Sequence, residues 1–443
     1  MSARILIIQM AKLGDFIQST PLLANVRREY PEAEIVLACE QGSVAEAADL
    51  SPLVDEVLVV KDNGPVPSGR FEAVFVLNSH SRAASLADSV KARHHYGPRL
   101  REGRLHFTAA QNFLISLMMT GNRARGRFNL ADIWASLCPG ASPEPLFWPK
   151  PCAPSELLNE AAGLKIGFQL GSKNHLRRWP VEYFAELAAR LNGYETATAV
   201  LLGSGPEKAM GARFEKLAAG QARVINLMGR TSLEELGAVL SGLDLLVTAD
   251  TGVMHLAAAV GIPVLALFFG PAYGPETGPY GEGHLIYQAL ADCAPCREND
   301  KCPRRQCLEM PLPAIAAEAA RLRLGRVGDL PALPQGHRVW RTGSDNFGQK
   351  LETIGRPPLT NDEALALLIT EAGRPLIRGG YRADAAQFRA ALECFEQRGP
   401  VTINEAVLKK LAAASPGPEH GGDDFLTTAR SFCEDLGFNF AVT

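Results

Sequence analysis

One stretch constrains this chain more than any other: Leu243 to Tyr280, LDLLVTADTGVMHLAAAVGIPVLALFFGPAYGPETGPY. An apolar run of strand length ends at Thr248-Ala249-Asp250, and a Thr-Gly pair follows. Val253 to Val260 is then a small-residue run of helical length, and a second apolar run, Ile262 to Phe269, closes with Gly-Pro. Strand, tight turn, helix, strand is the unit of a parallel sheet. The turn carries chemistry. A helix starting near Thr251 points unpaired N–H groups and the positive end of its dipole outward. Gly252 puts no side chain in a ligand's way. Such an end takes phosphate, with Asp250, Thr251 and His255 placed to add side-chain contacts. The same residues fit plainer roles, Asp or Thr as an N-cap and His255 as a satisfied buried histidine, and by themselves they leave both readings open.

The rest of the chain repeats the pattern. Arg4 to Ile8 reads as a buried strand, followed by the loop Gln9-Met-Ala-Lys-Leu-Gly-Asp15 and a helix from about Phe16 to Tyr30. Pro21 marks a kink in that helix or its first turn. Strand-like runs recur at Ile35 to Cys39, Val57 to Val60 and Val74 to Leu77. The segment Cys138 to Leu164, with six prolines, reads as an inter-domain linker. A second series then begins. Ile166 to Leu170 ends in Gly171-Ser172-Lys173, Arg177-Arg178-Trp179-Pro180 leads into a helix, and Ala197 to Leu202 ends in Gly203-Ser204-Gly205-Pro206-Glu207. Ser232-Leu-Glu-Glu235 is a capping-box pattern. Alternating strands and helices predict doubly wound α/β domains with ligands at the carboxyl ends of the strands, and two such halves predict a cleft between them.

Composition enters mainly through what it excludes. A net charge of −3 over 443 residues implies no general attraction to nucleic acid. Nine cysteines are too few for a disulfide scaffold, so a reducing compartment is expected. No apolar run reaches the ~18–20 residues that span a bilayer, and RILII is too short for a secretory signal. The expectation is a cytoplasmic protein. Between Lys91 and Arg127, eight Lys and Arg stand against Glu102 alone. That excess suits an anionic partner or an anionic membrane face, and it also suits a solvated arginine-rich surface.

Four segments together carry a family resemblance: ILIIQMAKLGDFIQSTPLLANVRREYPEAEI, IGFQLGSKNHLRRWPVEYFAELA, LLGSGPE, and NLMGRTSLEELGAVLSGLDLLVTADTGVMHLAAAVGIPVLALFFGP. In that order, over residues 4 to 325, the chain resembles glycosyltransferase family 9, the ADP-heptose:lipopolysaccharide heptosyltransferases and their relatives. The resemblance implies a GT-B fold, an α/β architecture of two facing Rossmann-like domains. Residues 1–150 are then the acceptor side and 151–329 the nucleotide-sugar side, with 330–443 a C-terminal helical extension of unknown role. It implies Asp15 as general base, since an acceptor hydroxyl must lose its proton as it attacks the anomeric carbon. It implies that main-chain N–H groups at Thr251 and Gly252 take up the leaving group's charge, helped by a basic side chain. Arg177, by its place before Trp-Pro, corresponds to the family's phosphate-contacting Lys, with Arg178 second; Arg for Lys keeps the charge and changes the geometry. Gly14, Ser172, Gly203, Met228, Asp250 and His255 complete the donor set. Asp15 also fits a plain helix cap.

The resemblance further implies a nucleotide-sugar donor, ADP-heptose above all, and no required cofactor. It implies an anionic glycolipid or lipopolysaccharide core acceptor and leaves room for peripheral contact at the cytoplasmic face of the inner membrane. Two alternatives stand beside it: a same-fold transferase with another sugar donor or a non-lipid acceptor, and a nucleotide-sugar-binding module without turnover. Cys293, Cys296, Cys302 and Cys307 fall within fifteen residues, a density that suits a metal or iron–sulfur cluster and equally suits free cysteines. Helical patterns at Asp362 to Glu371, Asp384 to Glu396, Ile403 to Ala414 and Asp424 to Leu436 make up the expected extension.

Overall fold

The computed structural model describes residues 3–60, 67–106, 126–149, 155–291, 293–296, 302–303, 305–346 and 348–355, together with Ala366 and Thr370. Two parallel sheets dominate it. In the first, β1 (Arg4–Ile8), β2 (Glu34–Cys39), β3 (Glu56–Val59), β4 (Arg70–Val76) and β5 (Lys91–Tyr96) lie in the order β3-β2-β1-β4-β5. A small antiparallel hairpin, β6 (Arg99–Arg101) and β7 (Arg104–His106), follows. The second sheet holds β8 (Leu164–Gln169), β9 (Ala197–Leu202), β10 (Arg223–Asn226), β11 (Leu245–Ala249), β12 (Val264–Phe268), β13 (Leu285–Ala289), β14 (His337–Asp345) and β15 (Gly348–Ile354). Its order is β10-β9-β8-β11-β12-β13-β14-β15, with only the last two pairings antiparallel.

Burial on both faces explains the near-continuous apolar strands. Ile5 and Ile7 of β1 enter one core with Phe16, Ile35 and Leu37, while Leu6 and Ile8 enter another with Val36 and Val74. Each fully buried Ile or Leu contributes roughly 1.5–3 kcal/mol. Strand order fixes where ligands go. In the first sheet the chain winds outward in opposite directions from β1 and β4, and in the second from β8 and β11. A crevice opens at each of these switch points, at the strands' carboxyl ends.

The first helix, Leu13–Glu29, starts three residues before the expected Phe16 and carries Pro21 in its interior. Proline supplies no N–H for the Ile17 carbonyl. The Thr20 hydroxyl takes its place, donating to Ile17 O at 2.7 Å, and accepts the Phe147 amide at 2.8 Å. The expected linker is therefore docked rather than loose. Leu146, Trp148 and Leu158 are buried in a core that both lobes share, and Trp148 occupies the space where a Cβ on Gly237 would stand. Pro151 and Pro154 lie outside the described residues.

One expectation is corrected. His337–Ile354, within the stretch read as a helical extension, forms two strands that enlarge the second sheet. The helical patterns further on lie outside the described residues, apart from Ala366 and Thr370. The new hairpin clasps the first lobe through the short helix Leu130–Ala135. Asp132 on that helix is buried, accepting the Tyr280 hydroxyl at 2.7 Å and the Gln349 amide at 2.9 Å. Gly348 sits at φ +118° with the Asp132 carboxylate where its Cβ would be, 2.0 Å away at the nearest atom. Only glycine holds that conformation without strain and leaves the carboxylate its place. Gly348→Ala is expected to cost about 2 kcal/mol or more, read as a lower urea midpoint and a fall of several degrees in the thermal midpoint.

Candidate functional site

The two switch points face each other. From the first lobe comes the loop after β1 and the start of the Leu13–Glu29 helix; from the second, the loop after β11 and the start of the helix Gly252–Ala259. The contact is glycine on glycine. A Cβ on Gly14 would stand 3.2 Å from the Gly252 Cα and 2.9 Å from the His255 ring. Both helices thus point their amino ends into one gap. Thr251, Gly252 and Val253 remain half-exposed beside it, as does Asp15. The Thr251 side chain does not cap its own helix; its hydroxyl lies 3.2 Å from that of Thr248. The Met254 amide turns back to the Thr251 carbonyl at 3.1 Å, while the Gly252 and Val253 N–H groups ahead of it point outward, where an anion can meet them.

Asp15 does two things. As third residue of its helix it accepts the Lys12 amide on Oδ2 at 3.0 Å, so the capping role is real. Oδ1 accepts no hydrogen bond among the described residues. Desolvation raises the Asp15 pKa, and the nearby Asp250 carboxylate adds to the rise; the Lys12 amide, the Lys12 ammonium and Arg177 pull the other way. A carboxylate of raised pKa is a better proton acceptor.

Arg177 and Asp250 form a part-buried ion pair at 2.6 Å. A guanidinium presents its N–H donors in a planar fork, and here the fork sits beside the amino end of the Gly252–Ala259 helix, held by Asp250. Arg178 is exposed, and its Nε donates to the Ser172 carbonyl at 2.6 Å, tying that loop. His255 is buried. Desolvation drives its pKa down to about 4, against a rise from Asp250, so the imidazole is neutral near pH 7.

The structure brings Gly14, Asp15, Arg177, Asp250, Thr251, Gly252 and His255 to one place. Ser172 is buried in the neighbouring loop after β8. Met228 is buried, its methyl group filling the place of a Cβ on Gly203, so it lies beneath that turn. One residue escaped the sequence reading. Glu207 stands against Gly171 and Gly203 at the carboxyl ends of β8 and β9, held by the Ser204 amide at 2.7 Å and the Ser204 hydroxyl at 2.8 Å. Its Ser-x-x-Glu spacing reads as a capping box, which concealed a carboxylate in the crevice.

Of the four clustered cysteines, Cys293 is exposed, Cys296 and Cys302 are half-buried and Cys307 is buried. Among the described residues, no group of three or more His, Cys, Asp or Glu is arranged to hold a metal ion. The basic residues Lys91, Arg93, Arg101 and Arg104 stand exposed on β5 and the β6–β7 hairpin. Arg123 and Arg125 lie outside the described residues. No helix among the described residues is long and apolar enough to cross a membrane.

Residues 151–305 match the model of glycosyltransferase family 9 (heptosyltransferase). The lipopolysaccharide heptosyltransferase 2 of Salmonella typhimurium is 26% identical over 341 residues, covering 67% of this chain and 91% of that protein. A crystal structure of a glycosyltransferase family 9 protein from Veillonella parvula superposes with a TM-score of 0.57 at 22% identity, covering 73% of this chain and 98% of that one. The E. coli heptosyltransferase WaaC with ADP gives 0.51 at 19%, covering 72% and 99%. These likenesses establish the GT-B fold.

The buried histidine has a measurable signature. His255 is depressed from 6.5 to about 4 in the folded chain, so only the unfolded chain takes up its proton between those values. Its stabilising contribution is present above the unfolded pKa and lost as pH falls toward the folded one. Between pH 7 and pH 5 the loss is about 2 kcal/mol. In urea titrations His255→Asn is expected to lose less stability over that interval than the parent; equal losses would contradict the assignment.

Proposed function

We propose that this glycosyltransferase belongs to family 9, whose model its residues 151–305 match, and that it moves a heptose or related sugar from a nucleotide-sugar, ADP-heptose above all, to a hydroxyl of a lipopolysaccharide core or similar glycan. The observation that carries the reading is the meeting of Asp15 with the amino end of the Gly252–Ala259 helix across the lobes. The acceptor oxygen attacks the anomeric carbon and gives its proton to Asp15 as the bond from that carbon to the diphosphate oxygen breaks. The departing nucleoside diphosphate gains negative charge. The N–H groups of the Thr251–Val253 turn and the Arg177 fork receive it, already oriented and in a partly dehydrated gap. Neutral His255 packs against Gly14 and closes the floor between the lobes. Glu207, at the carboxyl ends of the donor-side strands, has the chemistry to accept hydrogen bonds from ribose hydroxyls. The basic surface of β5 to β7 suits an anionic acceptor and contact with an anionic membrane face.

Asp15→Asn separates catalysis from binding. The amide still accepts the Lys12 N–H but takes no proton, so transfer is expected to fall by about 10²–10⁴-fold, with ADP affinity by calorimetry unchanged. The raised Asp15 pKa also fixes the sign of the stability effect. The ionised form opposes folding above that pKa, so the variant's thermal midpoint at pH 7 is expected to be no lower than the parent's. Retained transfer would remove Asp15 as base.

A thermal-shift comparison of ADP-, GDP- and UDP-sugars tests the donor. A ligand that binds only the folded state raises the midpoint in proportion to its occupancy, and the ADP-sugar is expected to raise it most. A larger shift with a GDP- or UDP-sugar would reassign the base.

A further inference from the structure

Two buried amide side chains hold the Asp15 loop from beneath. Gln9, at the carboxyl end of β1, has no exposed surface, and Asn78, just past β4, is buried beside it. They meet across the switch point of the first sheet. The Asn78 Nδ2 donates to Gln9 Oε1 at 2.7 Å. The Met10 amide donates to Asn78 Oδ1 at 2.5 Å, and the Ala11 amide to Gln9 Oε1 at 3.2 Å. Gln9 Nε2 in turn donates to the Asp15 carbonyl at 3.3 Å. The next amide along, that of Lys12, goes to the Asp15 carboxylate. Three successive main-chain N–H groups are therefore directed in turn, two by this amide pair and the third by the carboxylate itself.

Burying neutral amides beside an apolar core is unfavourable unless every bond is made, and an apolar pair of similar volume would pack the same space. What an apolar pair lacks is the power to aim a loop's N–H groups. We propose that Asn78 and Gln9 are positioning residues for the transfer reaction: they fix the Met10–Lys12 main chain so that the Lys12 N–H stays on Asp15 Oδ2 and Oδ1 is left for the acceptor proton. Neither residue touches the donor site, so their effect falls on the acceptor half of the chemistry. This inference rests on Asp15 as base.

The role predicts more than a loss of rate. An N–H bond to a carboxylate favours its ionised form. Loosening the Lys12 amide raises the Asp15 pKa further, and the acid limb of the rate against pH moves to higher pH. The test compares Asn78→Ala and Gln9→Met, the second keeping side-chain volume, with the parent and with Asp15→Asn as control. Both variants are expected to show a fall in kcat on the order of 10–100-fold, unchanged ADP affinity, and an acid limb displaced upward in pH. The proposal is overturned if either folded variant keeps both kcat and the acid limb. It is also overturned if kcat falls only in step with the folded fraction while the limb stays in place. The Asp15→Asn control distinguishes the two failures: if it retains transfer, the base assignment itself is wrong.

Discussion

The arrangement of the candidate site depends on two glycines meeting. Gly14 and Gly252 let two helix amino ends approach closely: a side chain on Gly14 would press on the His255 ring and the Gly252 main chain, while one on Gly252 would make ordinary contact with the Gly14 main chain. Two positive dipole ends aimed at one gap repel each other unless negative charge lies between them. Asp15, in the first turn of one helix, and Asp250, just before the other, supply that charge, and Arg177 limits the mutual repulsion of the two carboxylates. The gap is thus a balanced set of charges and dipoles held by main chain, with little dependence on long flexible side chains.

Much of this was legible in the sequence because it rests on local patterns. The apolar runs of β1, β11 and β12 are buried on both faces and so read plainly, and the loops that follow β1, β8 and β11 hold the residues expected in the site. Other features were invisible for physical reasons. β5, KARHHY, lies at the edge of its sheet with half its side chains in water, so no apolar run announces it. β14 pairs with β13 and β15, and β15 with β14; the many polar residues on these strands, Thr342 among them with the His284 amide on its hydroxyl, break up any apolar run that would announce them. Glu207 reads as a cap because it is one; its place at the strands' carboxyl ends exists only where the chain brings Gly171 and Gly203 beside it. The meeting of Gln9 with Asn78, far apart in sequence, depends wholly on β1 and β4 being neighbours.

The lobes are joined by more than a tether. The segment after Cys138 docks on the first helix through Thr20, Asn25 and Arg28, then enters the shared core through Trp148 and Leu158. On another side the hairpin β14–β15 holds the Leu130–Ala135 helix through Asp132, whose two oxygens bond to residues of the second lobe. Relative movement of the lobes therefore disturbs buried polar contacts at one attachment and apolar packing at the other. Close-packed contacts of both kinds do not stretch gradually, so together they hold the two lobes in a defined arrangement.

The pairing of Arg177 with Asp250 has a consequence for discrimination among anions. A lone guanidinium at this mouth would attract sulfate, chloride or free phosphate as readily as a substrate. Here it is held at 2.6 Å by a carboxylate of its own chain, which offsets part of its charge. On the proposed reading, a ligand with several oxygens, spanning both the fork and the neighbouring helix end, would engage it through geometry. A pair that must open to receive a ligand then sets a threshold that the weakest anions would not cross.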